Sequence, residues 1–250
     1  MRDQATATAA WGAALGALCA LVVALWPSVR DALPRLTGSY PATVRRLFDV
    51  GGLDTVQAYL HTEMFSLIVP LAVALFVVRR VVAALDVAEE RGHLDTLLAA
   101  PVSRVVLAAA AVVASLVCAG VLLVVVAVVT LAASVGAGAG LEVDALAAGI
   151  ASVWALGALA AGLAALACGL VSHPGAATAG AVGVLVAMYV VEVTGRLTEA
   201  LAPVRDLSAF RLYGAQLRDG LDLGACLTLM VAGAILATVG AGAFERRDIR

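Results

Sequence analysis

Val105–Ser134, VVLAAAAVVASLVCAGVLLVVVAVVTLAAS, is a run of 30 residues without one charged side chain. About 20 apolar residues in a helix cross the bilayer core, so this stretch places the chain in a membrane. Working outward, five further apolar stretches have the same character. With the first, they are Ala7–Trp26, Met64–Leu85, Val105–Ser134, Ala145–Val171, Ala176–Gly195 and Leu223–Phe244. The fold class read from them is an all-α integral membrane protein of six transmembrane helices, residues 1–250 forming a single transmembrane domain. The first run ends in Trp26-Pro27-Ser28 with no small-residue cleavage site, which predicts an uncleaved anchor rather than a signal peptide.

Composition agrees. The chain is 63% hydrophobic and 14% charged, with mean hydropathy +1.03, where soluble domains carry about 25% charged residues. All sixteen basic residues are arginine. Without lysine there is no GxxxxGK[ST] phosphate loop, so the chain does not hold ATP in that manner, and Schiff-base chemistry is closed to it. A net charge of −2 gives no electrostatic footprint for nucleic acid.

Chemistry-bearing residues are sparse. Cys19, Cys118, Cys168 and Cys226 sit in separate spans and read as small apolar fillers. His61, His93 and His173 fall in three different loops, and no HxxxH or HExxH spacing exists, so no metal site is expected. No nucleophile and base share a depth in the membrane, which argues against an intramembrane enzyme. Glu63 and Glu192 stand at the ends of spans. An interfacial, solvated carboxylate is the expectation for Glu192, with a substrate contact as the other reading. Arg79 and Arg80 place one end of the second span at an interface. Glycines punctuate the spans: Gly12-xxx-Gly16, Gly157, Gly162, Gly175, Gly180, Gly183, Gly233, Gly240 and Gly242. They allow close helix approach, either within the chain or at a seam between copies.

The loops differ in kind. Pro27–Glu63 is long and carries Pro27, Pro34 and Pro41; Arg196–Asp222 is charged and partly amphipathic; Val135–Asp144 and Ser172–Gly175 are turns. Six spans put both termini on one side. Eight arginines then fall to each side, so the positive-inside rule returns a tie.

The charged island before the longest span, Asp86–Arg104, reads DVAEERGHLDTLLAAPVSR. Asp86, Glu89, Glu90 and His93 recur at i, i+3, i+4 and i+7, one polar helix face. Leu94, Leu97 and Leu98 form an apolar face just after it. Arg91 and Gly92 separate the halves, and Pro101 closes the second before Arg104. Such an element between two spans either docks a soluble partner or lies on lipid headgroups.

The island resembles the inner-loop signature of ABC-2 type exporter permeases, roughly E-E-x-G-T-L-x-x-L-L-x-x-P-V-S-R. Glu89, Glu90, Gly92, Leu94, Leu97, Leu98, Pro101, Val102, Ser103 and Arg104 match; His93 stands where threonine is usual. Trp26–Asp31, WPSVRD, and Phe244–Ile249, FERRDI, are similar to the same family more weakly. The resemblance implies a multi-pass protein of the cytoplasmic membrane with both termini cytoplasmic. It implies pairing with a second permease copy or a homologous permease, and a separate ATP-hydrolysing subunit that binds the ATP and magnesium. Asp86–Arg104 would then be a cytoplasmic coupling helix between spans two and three. The expected activity is export of a hydrophobic or amphipathic drug, antibiotic or lipid; a membrane anchor that recruits a cytoplasmic partner without transport is the other reading.

Overall fold

In hydrocarbon every backbone N–H and C=O must find its partner within the protein, and a chain of alanine, leucine, valine and glycine does so as helix. The computed structural model describes residues 2–37, 55–90, 104–197, 205–206 and 208–245. Among them are α1 (Arg2–Thr37), α2 (Val56–Leu60), α3 (Ile68–Glu90), α4 (Arg104–Ala137), α5 (Val143–Leu170), α6 (Pro174–Leu197), α7 (Ala209–Tyr213), α8 (Gln216–Asp219) and α9 (Leu223–Glu245). Six of these, α1, α3, α4, α5, α6 and α9, are long and apolar enough to cross a membrane. Lipid is the solvent their surfaces require. On α4, Val113, Val117, Val121, Val124 and Val128 form one exposed face at helical spacing, each more than half exposed.

Two boundaries depart from the sequence expectation. The first helix does not stop at Trp26 but runs through Pro27 and Pro34 to Thr37. A proline removes one backbone bond and bends a helix, which spanning helices tolerate without ending. The second span begins at Ile68, not Met64. Met64 lies instead in a π-turn, His61–Phe65, closed by Ser66 N–H donating to His61 O at 2.7 Å.

The chain divides into two compact units. The first comprises residues 1–69, 120–152 and 215–222. Here α1 lies against the second half of α4. A Cβ at Gly12 would meet Val125 Cβ at 3.2 Å, and one at Gly16 would meet Val129 Cβ at 3.1 Å. The two helices therefore run parallel, and the Gly12-xxx-Gly16 pair serves packing within the chain. The turn from α4 to α5 uses Gly138 and Gly140 at φ 60° and 75°, where a side chain is disfavoured. It is tied by Leu141 N–H to Ser134 Oγ at 3.0 Å.

The second unit comprises residues 70–119, 153–214 and 223–250. Its tightest feature is the seam between α5 and α9. A Cβ at Gly162 would run into the Gly233 backbone, one at Gly169 into Gly240, and those at Gly233 and Gly240 into the backbone at Ala158 and Ala165. Both pairs advance together by seven residues, so these helices too are parallel, with backbone on backbone. Gly157 faces Val73 and Val77 of α3, and Trp154 Nε1 donates to Leu116 O of α4 at 3.1 Å. By contrast Gly175, Gly180, Gly183 and Gly242 meet nothing within 4 Å. Pro174 opens α6 at its first position, where its missing N–H costs nothing.

Candidate functional site

The segment singled out from sequence is placed at its two ends. Helix α3 continues through Asp86, Glu89 and Glu90, and α4 begins at Arg104. Arg91, Gly92, His93, Leu94, Leu97, Leu98 and Pro101 lie outside the described residues. Toward the same end of α3, the Arg80 guanidinium carbon sits 5.6 Å from the Phe76 ring centroid, within cation–π range.

The site that sequence reasoning missed is on α6. Glu192 is 3% exposed, and it is the one buried acid or base among the described residues. The expectation of a solvated carboxylate is thus corrected. Arg205, from the segment after α6, folds back and grips it. Nη2 donates to Oε1 at 2.9 Å and Nε to Oε2 at 3.3 Å. This two-pronged pairing is the strong form of a charge-assisted bond, and the bond to Glu192 pushes the Arg205 pKa above its ordinary value.

Local sequence explains the fit. Gly195 follows Glu192 by three residues and lies on the same helix face. A Cβ there would collide with Arg205 Cγ and Cδ, so glycine leaves the channel in which the arginine stem lies. Three residues beyond Arg205, Ser208 Oγ donates to Met188 O at 2.7 Å and also caps α7. Phe210 meets Tyr189 edge-on, with centroids 5.3 Å apart, and Tyr213 stands 6.2 Å from Phe210. Met188, Tyr189, Glu192 and Gly195 thus make one stripe of α6 along which Arg205, Ser208 and Phe210 are held. Arg211 pairs with Asp206 at the exposed edge, a contact of small energetic weight.

A second small assembly belongs to the first unit. Thr55 caps α2 by accepting from Ala58 N at 3.2 Å, Thr62 Oγ1 donates to Ala58 O, and Ser66 Oγ donates to Thr62 O. Trp26 of α1 stacks at a tilt on Tyr59, 5.5 Å between centroids. Burial, and then the Glu63 carboxylate, raise the Tyr59 pKa above its ordinary value. A Cβ at Gly149 of α5 would lie 3.0 Å from Leu217 Cδ1 of α8 and 3.3 Å from Phe65.

Among the described residues no three of His, Cys, Asp and Glu gather into a group able to hold a metal. Three buried hydroxyls within the spans are turned back on their own helices: Ser115 to Ala111 O, Thr130 to Val126 O and Ser152 to Gly149 O.

Residues 1–245 match the family described as "Multidrug efflux system permease Rv1217c, C-terminal domain". No curated protein and no solved structure gives a significant match to the chain.

Proposed function

This chain belongs to the family of multidrug efflux system permeases, and we propose that it is the membrane subunit of an ABC exporter of the ABC-2 type. The role of transport permease follows from the family. Our reading adds the source of energy, the coupling element, the orientation and the substrate class. The observation that carries it is the Glu89–Arg104 signature, set between a helix that runs to Glu90 and one that starts at Arg104.

ATP and magnesium are held by a separate ATP-hydrolysing subunit, in keeping with a chain that has no lysine and hence no phosphate loop. Asp86, Glu89, Glu90 and Arg91 present charge to that subunit. Leu94, Leu97 and Leu98 fill an apolar cleft on it, and Gly92, His93, Pro101 and Arg104 belong to the same coupling element. Closure of the ATPase subunits on nucleotide pushes this element and rearranges the spans. Both termini face the cytoplasm, which puts Asp86–Arg104 inside and the Arg205–Tyr213 segment outside. A second permease copy or a homologous permease completes the pathway, and lipid surrounds it.

The substrate is hydrophobic or amphipathic. The Ser115, Thr130 and Ser152 hydroxyls bonded to their own helices and spans nearly free of charge leave little to compensate a small, highly ionic solute. The test is extraction of the tagged chain without crosslinker. We expect an ATP-hydrolysing subunit to copurify, with hydrolysis stimulated by an amphipathic drug. A chain that exports the drug on an ion gradient, with no ATPase attached, overturns the reading.

A further inference from the structure

The groove on α6 that Arg205 fills has the form of a ligand site with an internal occupant. Its floor is Gly195, across which the Cγ and Cδ methylenes of the arginine stem lie with no room for a Cβ. Its end is the Glu192 carboxylate, 4% exposed at the side chain, whereas the Arg205 side chain is 26% exposed. Its neighbours are rings: Tyr189, one turn before Glu192 on the same helix face, with Phe210 and then Tyr213 edge to face beyond it. A buried carboxylate needs a cation, and aromatic rings nearby favour a cation attached to an apolar body.

The cation now present is exchangeable in a way that one on a spanning helix is not. It comes from a connecting segment rather than from a spanning helix, and it is the more exposed half of the pair, at 26% against 4%. Losing the arginine alone strands the carboxylate, whereas removing both charges does not; a buried pair of this kind adds little net stability but demands that its halves stay matched.

We propose that Arg205 is a stand-in for a lipophilic organic cation, which enters the Gly195 groove, displaces Arg205 and pairs with Glu192. The ligand class is a monovalent cation on an alkyl or aryl body, such as an alkylguanidinium or alkylammonium. The proposal deepens the efflux reading and rests on it for its biological use, though not for its chemistry. Displacement moves the Arg205 side chain alone, since Ser208 and Phe210 keep their own contacts with Met188 and Tyr189.

The test uses the purified full chain in nonionic detergent, with dodecylguanidinium as the probe and dodecanol as its uncharged reference. Three proteins are compared: the natural chain, Arg205→Ala, and Arg205→Ala combined with Glu192→Gln. Arg205→Ala should bind dodecylguanidinium at least about tenfold more tightly than the natural chain, because one charge-assisted pairing no longer has to be broken. The double variant should lose that gain, and dodecanol should bind all three alike. Equal cation binding by the single and double variants overturns the proposal. Should Arg205→Ala aggregate on extraction, dodecylguanidinium added at that step must restore a monodisperse protein; failure to restore it, while the double variant purifies normally, also overturns it. The assay needs no ATPase subunit, so a negative result leaves the permease assignment standing. A chain that binds the cation at Glu192 but exports nothing defeats only that assignment.

Discussion

Gly162→Ala adds one methyl group to the α5–α9 seam, and the geometry sets its cost. The new Cβ would stand 2.8 Å from both Gly233 C and Cα and closer still to the carbonyl oxygen, while ordinary contact begins at 3.4 Å. The helices must part by more than half an ångström. A radial gap of about 0.5–1 Å forfeits a quarter to a half of each dispersion contact along the seam. The obstacle is backbone, which cannot rotate aside as a side chain would. Overpacking of this kind costs about 1–3 kcal/mol, or roughly 2–12 °C in the unfolding midpoint for a chain of this length. Gly242→Ala is the internal control, since nothing lies within 4 Å of that position; it should be neutral or slightly stabilising through better helix propensity. Thermal unfolding of the two variants in one detergent, followed by monodispersity on gel filtration, measures the difference. If Gly162→Ala melts with Gly242→Ala, the seam is not backbone on backbone and the packing argument fails.

Three further outcomes are expected. Leu97 and Leu98 changed together to Ala should weaken copurification of the ATPase subunit more than Glu89→Gln does, since burying a leucine contributes about 1.5–3 kcal/mol and a rim charge pair about 0–1; normal assembly by the leucine variant would leave the segment a lipid-facing linker. Cysteines introduced at Asp222 and at His93 should react with an impermeant thiol reagent from outside and only from inside, respectively; external labelling at His93 reverses the orientation. Tyr59, raised by burial and then by Glu63 from the ordinary 10.0, should ionise above free tyrosine in an ultraviolet titration. Because its folded pKa is the higher one, its contribution to stability is full below pH 10 and fades as pH rises through the folded value; Glu63→Gln should bring the titration partway back, and an unchanged titration curve would rule out the carboxylate's part.

What could be read from the sequence was what hydropathy and spacing encode. Uncharged runs near 20 residues leave a helix no alternative in lipid, so six spans could be drawn without coordinates. Their ends were harder. Pro27 looks like a terminus, yet a spanning helix absorbs it; Met64 looks like the start of a span, yet a π-turn resets the helix before Ile68. The glycines were ambiguous because alanine-rich helices offer many close-packing registers, and only three dimensions show that Gly162 and Gly233 meet while Gly180 faces outward. Glu192 reads as solvated in sequence for a related reason. Nothing local marks it as buried, since the residue that covers it returns from 13 positions along the chain. The stripe Tyr189, Glu192, Gly195 at three-residue steps was the available hint: an aromatic, an acid and a gap on one face.

The length of α4 sets the protein's relation to its lipid. Its apolar section, Val105–Ala137, is 33 residues, which amounts to about 50 Å of helix against a hydrocarbon slab of about 30 Å. Spanning helices tilt by about 40° at most, and that inclination still leaves several ångströms of valine and alanine to accommodate. The excess must be met by thickening the surrounding leaflets or by shelter against other protein, and Val135, 82% exposed near the far end, finds no such shelter among the described residues. Acyl-chain length and sterol-like ordering of the host membrane therefore become determinants of this permease's energetics, and the thicker bilayer is the one in which it rests with least distortion.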